Sequence, residues 1–73
     1  MTKTAMTRLC VNGEETEIAV ATVAELLSAR GIDPSARFLA VAINGAVVRR
    51  AAWAETPLSS GDRVEIVRPL QGG

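Results

Sequence analysis

Two Asn-Gly pairs, Asn12-Gly13 and Asn44-Gly45, each lie between short apolar-patterned segments and restrict the possible folds more than any other feature of this chain. Asn-Gly supplies two successive residues that accept positive φ, as a two-residue hairpin turn requires. Each pair therefore turns the chain back and sets its flanks antiparallel. Before the first turn, Thr7 to Val11 alternates, with Leu9 and Val11 on one side and Arg8 and Cys10 on the other. After it, Thr16 to Val20 returns with Ile18 and Val20 inward and Glu17 outward. Before the second turn, Phe38 to Ile43 is a nearly continuous apolar run, as in a central strand. Leu39, Val41 and Ile43 share one side of it, and Phe38, Ala40 and Ala42 the other. Ala46 to Arg49 is its short returning partner.

Between the hairpins stands a helix signal. Thr22-Val23-Ala24-Glu25 is a capping box. The Thr22 hydroxyl is expected to accept from the Glu25 N–H, while the Glu25 carboxylate reaches back to the N–H of Thr22. Val23, Leu26, Leu27 and the stem of Arg30 then share one face of a helix over Val23 to Arg30. Gly31 is placed to take the left-handed conformation that closes it, and Asp33-Pro34 prevents resumption. Ala51 to Leu58 reads as a connector holding Trp53, with Pro57 discouraging both helix and central strand. Ser60-Gly61-Asp62 is a turn, and Arg63 to Arg68 is the last strand, with Val64 and Ile66 on the core face. Pro69 stops the pairing.

The resulting order is β-β-α-β-β-β. One helix can cover only one face of a four-to-five-stranded mixed sheet, and the first and last strands are placed to be parallel central neighbours. This α+β pattern is the β-grasp arrangement, as in ubiquitin. A ferredoxin-like fold would need a second helix, for which Ala51 to Leu58 is poorly suited. The expected organisation is a flexible leader at 1–5, a β-grasp domain at 6–69 and a flexible C-terminal tail at 70–73.

At 73 residues the chain is near the lower size limit for a fold held by a hydrophobic core alone. Cys10 is the single cysteine, which excludes an intramolecular disulfide and a cysteine-based zinc site. No transmembrane-length run or signal-peptide stretch is present, so cytoplasmic residence is the default expectation. Charges balance to zero and are scattered, so nucleic acid and membrane surfaces are not expected partners. Arg49-Arg50, the one adjacent basic pair, reads as solvated surface or as a salt bridge to a partner. Lys3, the single lysine, lies in the leader, so the fold offers no lysine for building chains on itself.

The catalytic inventory is short. There is no His, no Tyr and no phosphate-binding Gly-x-x-x-x-Gly-Lys loop, so neither a His-based triad nor a nucleotide-hydrolysing site can be assembled. Glu14 and Glu15 read as a solvated loop beside a turn and not as a general acid/base pair, and Cys10 as a small apolar strand residue without a sequence neighbour that would activate it. The chain is not expected to catalyse a reaction alone, nor to bind a cofactor or metal.

Chemistry therefore falls to the last two residues, Gly72-Gly73. At average Gly usage, chance places two glycines there in roughly 0.5% of chains. Without side chains, they can enter a narrow channel and present the terminal carboxylate to an enzyme. Leu70, Gln71, Gly72 and Gly73 extend at most about 14 Å from the fold. A carboxylate is a poor electrophile, so the Gly73 carboxylate would need activation as an acyl-adenylate, at the expense of ATP, by a partner enzyme. The sheet face away from the helix carries Cys10, Ala40, Ala42 and Val67, with Arg63 and Glu65 alongside. Small apolar residues at the centre of a solvent-facing sheet mark a docking surface beside the tail.

Several segments together resemble the ThiS sulfur carriers of thiamine biosynthesis. They are Val11-Asn12-Gly13-Glu14, Thr22 to Leu27, Val41-Ala42-Ile43-Asn44-Gly45, Trp53, Gly61 to Ile66 and Gly72-Gly73. The resemblance implies that a ThiF-type adenylyltransferase activates Gly73 and that a cysteine-desulfurase relay replaces AMP with sulfur. Thiazole synthase (ThiG) then takes sulfur from the Gly73 thiocarboxylate, with Gly72, Gln71 and Leu70 giving access. ATP is used by the partner, and the carrier is expected to be monomeric when free. Members commonly show Val-Pro-Arg where this chain has Val48-Arg49-Arg50. Two other readings share the tail: a MoaD-type small subunit of molybdopterin synthase, and a ubiquitin-like modifier conjugated through Gly73. A plain interaction module with an inert tail is the remaining alternative.

Overall fold

The computed structural model describes residues 6–68, so the leader at 1–5 and the tail residues Leu70, Gln71, Gly72 and Gly73, with Pro69 before them, lie outside the described residues. The strands are β1 (Thr7–Val11), β2 (Glu14–Ile18), β3 (Ala40–Ile43), β4 (Ala46–Val48) and β5 (Arg63–Val67). One α-helix, α1 (Val23–Ala29), follows the first hairpin, and a 3₁₀ helix spans Arg50–Glu55. The sheet runs β2-β1-β5-β3-β4, with β1 and β5 parallel at its centre and the other pairings antiparallel. This five-stranded mixed sheet with one α-helix is a β-grasp fold.

Both Asn-Gly pairs form the expected turns. Asn12 and Gly13 have φ of 50° and 85°, and Asn44 and Gly45 have φ of 51° and 87°. A two-residue turn starts pairing at once, so Val11 faces Glu14 and Ile43 faces Ala46. For this reason β2 starts at Glu14 and ends at Ile18, earlier at both ends than the expected Thr16 to Val20. Glu14 and Glu15 thus belong to a strand and not to a loop. Val20 is still buried, having turned inward after the strand.

The helix is capped as its sequence dictates, with one difference. The Glu25 N–H donates to Thr22 Oγ1 at 3.2 Å, but the Glu25 carboxylate accepts from the Ala21 N–H at 2.7 Å, one residue before the expected partner. Gly31 closes the helix at φ 74°. Seven residues are too few to hold a helix in water unaided. Here Val23, Leu26 and Leu27 are fully buried against Leu9, Val11, Val41, Val64 and Ile66 of the sheet, so packing sustains it. Arg30 is exposed and lies outside that core.

Two expectations fail. Phe38 does not share a strand face with Ala40 and Ala42: it has φ 62° in a turn and is 78% exposed. The turn delivers Leu39 to the core, and β3 starts only at Ala40. The connector after β4 is also not irregular. It winds into the 3₁₀ helix that buries Trp53, whose indole N–H donates to the Val48 carbonyl at 2.9 Å. Pro57 lies beyond the end of that helix and bridges to Thr22, so it does not interrupt it.

The loop between α1 and β3 is fastened from within and from the side. Asp33 accepts from both the N–H and the hydroxyl of Ser35, and these bonds hold its carboxyl below the ordinary carboxylate range. Arg50 donates to the carbonyls of Pro34 and Ala36 while lying over the Trp53 ring at 4.8 Å. Arg50 is therefore an internal clamp, contrary to its expected role as solvated surface or partner contact. Among the described residues the ion pair is Arg8–Glu17, at 2.9 Å between exposed side chains.

Candidate functional site

The sheet has two unlike faces because its strands alternate. Leu9, Val11, Val41, Val64 and Ile66 point to the helix. The register places Cys10 beside Arg63, Ala40 beside Val67, and Ala42 beside Glu65 on the opposite face. The four residues expected to form a docking surface therefore share one face. Cys10 and Ala42 are half-buried, Ala40 is exposed, and Val67 is 61% exposed. Cys10 stands apart, across β5 from β3, so the small apolar patch proper is Ala40, Ala42 and Val67.

Sequence reasoning missed the largest addition to that patch. Val47 lies opposite Ala42 across the second hairpin and is 76% exposed. The signal was present, since a two-residue turn at Asn44-Gly45 fixes Ala42 and Val47 as partners. Charged residues border the apolar area: Arg63 and Glu65 on β5, then Arg8, Glu15 and Glu17 toward the β2 edge. The exposed face is thus apolar at the β3–β4 side and charged at the β1–β2 side.

The two turn asparagines do more than turn the chain. Asn44 Oδ1 accepts from the Arg63 N–H at 2.9 Å and its Nδ2 donates to the Asp62 carboxylate at 3.1 Å, at the start of β5. Asn12 Oδ1 accepts from the Ile66 N–H at 2.8 Å and its Nδ2 donates to the Ile66 carbonyl at 3.2 Å, near the end of β5. Both ends of β5 are thereby tied by side chains from the two hairpins. Asn at these positions was legible as a turn former; its second task was not, because the residues it grips are distant in sequence.

Open depressions on the surface of the described residues include two with polar linings. One lies along Arg8, Glu15, Thr16 and Glu17, the other along Asn44, Gly45, Arg63 and Glu65. Neither brings a nucleophile next to a base. Among the described residues no three of His, Cys, Asp or Glu converge on a point that could hold a metal ion. No helix of the described residues is long and apolar enough to cross a membrane.

The fold has counterparts among known proteins. The chain is similar to the crystal structure of a thiamine biosynthesis protein (ThiS) from Geobacter metallireducens, with a TM-score of 0.73 and 36% identity. That match covers 92% of this chain and 100% of the other. It is similar also to an NMR solution structure of a thiamine biosynthesis protein from the same organism, with a TM-score of 0.74 and 36% identity. There the match covers 92% of this chain and 88% of the other. No curated protein sequence gives a significant match. The sequence model of the ThiS family matches residues 9–73, which takes in all of the sheet but Thr7 and Arg8 of β1, the helix and the terminal glycines. By that span, and by its likeness to two solved structures across nearly its full length, the chain belongs to the ThiS family.

Proposed function

We propose that the protein is a sulfur carrier of thiamine biosynthesis, with the Gly73 carboxylate as the group that carries sulfur. The observation that carries this reading is the ThiS family match, which runs through Gly73. In this reading a ThiF-type adenylyltransferase uses ATP to form an acyl-adenylate at Gly73. Persulfide sulfur from a desulfurase relay displaces AMP to give an acyl disulfide, and a second thiol reduces its S–S bond to leave a thiocarboxylate, which thiazole synthase (ThiG) draws on for the thiazole ring. The protein is then a co-substrate and not an enzyme, and ATP belongs to the partner. Gly72, Gln71 and Leu70 give the active site slender access to the reacting carbonyl.

The exposed sheet face serves as the recognition surface. Ala40, Ala42, Val47 and Val67 offer an apolar area flanked by charge, next to the strand that leads into the tail. Cys10 adds a small half-buried residue to the same face, on its charged side.

Incubating the protein with its adenylating enzyme, ATP and a sulfur donor tests the carrier reading by intact mass. The expected result is a gain equal to the difference between sulfur and oxygen, lost on deletion of Gly73. No gain, with an enzyme shown to be active on another carrier, would overturn it.

A further inference from the structure

We propose that Asn12 is a positioning residue for the C-terminal tail: its carboxamide replaces the strand that β1 no longer supplies and so fixes the direction in which the chain leaves β5. The parallel pairing of β1 with β5 covers Cys10 with Arg63 and Val11 with Val64, and then the turn carries β1 away. On that side of β5 the N–H and C=O of Ile66 face no strand. The Asn12 side chain meets both, at 2.8 Å and 3.2 Å, while its own N–H donates to the Val64 carbonyl at 2.9 Å. An amide is the side chain that can both donate and accept here. Aspartate would make a comparable turn but cannot donate to the Ile66 carbonyl. Both bonds are partly buried, so water competes poorly for them.

The consequence for function rests on the reading of Gly73 as the reacting group. Beyond Arg68 five residues remain, reaching at most about 18 Å when extended. An enzyme docked on the sheet face must receive Gly73 within that reach. Were Ile66 and Val67 free to fray, each would have to be ordered again in the complex, lowering the productive population about tenfold per residue. The clip on Ile66 settles that ordering before docking.

Asn44 provides an internal control. It has nearly the same φ as Asn12 and likewise holds β5, but at the end remote from the tail. Asn12→Gly and Asn44→Gly both keep a residue suited to positive φ and both remove two side-chain bonds. With the adenylating enzyme and varied carrier, Asn12→Gly is expected to lower kcat at least about tenfold with the smaller change in KM, because Ala40, Ala42 and Val47 of the docking face lie on strands the substitution does not touch. Asn44→Gly should leave kcat near wild type even if its thermal stability falls as far. Asn12→Asp keeps the acceptor for the Ile66 N–H and should recover part of kcat. A wild-type kcat for Asn12→Gly, or an equal fall in both glycine variants, would overturn the proposal. Amide exchange gives a readout independent of the enzyme: Asn12→Gly should speed exchange at Ile66 and lower the NMR order parameters of Val67 and Arg68, whereas Asn44→Gly should not. Unchanged exchange and order in Asn12→Gly would overturn the proposal. A wild-type protein that is never adenylated would instead overturn the carrier reading, leaving the exchange data to decide on Asn12.

Discussion

Arg50 holds the loop after the helix against the 3₁₀ helix, with two carbonyls on its guanidinium and the Trp53 ring beneath it. Arg50→Ala should therefore cost about 1–2 kcal/mol in urea unfolding, from the lost bonds and the lost cation–π contact. Arg50→Lys should restore less than half, because a single ammonium cannot fork to two carbonyls and stack flat on an indole. Its neighbour behaves differently. Arg49 is exposed, has φ −66° and ψ 144°, and its N–H has no backbone partner among the described residues. That is a backbone already suited to proline, and Val48 before it ends a strand, as a residue preceding proline prefers. Arg49→Pro should stabilise the protein by about 0.4–1 kcal/mol, read as a rise in Tm. Sequence placed these two arginines side by side and could not tell them apart, because what separates them is a loop whose carbonyls lie 16 and 14 residues upstream of Arg50. Phe38 escaped sequence reading for a related reason. Its apolar character suits a strand, but the turn that brings Leu39 inward leaves Phe38 at φ 62° and outside.

The α-helix has seven residues, below the length at which an isolated helix persists, so its existence depends on the three side chains it buries. Leu27→Ala should cost about 2–5 kcal/mol. That is a large share of the margin of a domain this small, and helical and sheet signals should be lost in one transition in circular dichroism. Elements of this kind were legible wherever the sequence encodes them locally: the capping box, the closing glycine and the two tight turns. Their boundaries were less legible. The extent of β2 is set by where a two-residue turn starts pairing, and propensity carries no information on that. The 3₁₀ helix was missed because Pro57 looked like a breaker of the segment, whereas it stands past the end of it, bridging to Thr22. Val47 would have joined the candidate face had the register of the second turn been followed one residue further.

The molecule as a whole separates duties between its two sheet faces. One face and the helix make the core; the other has no covering element among the described residues and carries the apolar patch. In the carrier reading Ala42→Arg should abolish or strongly weaken capture of the adenylating enzyme while shifting unfolding by less than about 1 kcal/mol, since Ala42 is not in the buried core. Equal capture in a pull-down or by calorimetry would retire the patch as the docking surface. That such a face exists was readable from alternation; Gly72-Gly73, the terminus proposed to react, was singled out in the sequence and lies outside the described residues. The parallel pairing of β1 with β5 has a bearing on synthesis. β5 comes last of the strands yet sits in the middle of the sheet, supplying the buried Val64 and Ile66. A nascent chain still lacking it has β1 and β3 with nothing between them, and long-range pairing of this sort cannot be completed early. The platform thus assembles only once the ribosome has released its final strand, so in the carrier reading a prematurely terminated product offers no finished surface to compete for the adenylating enzyme.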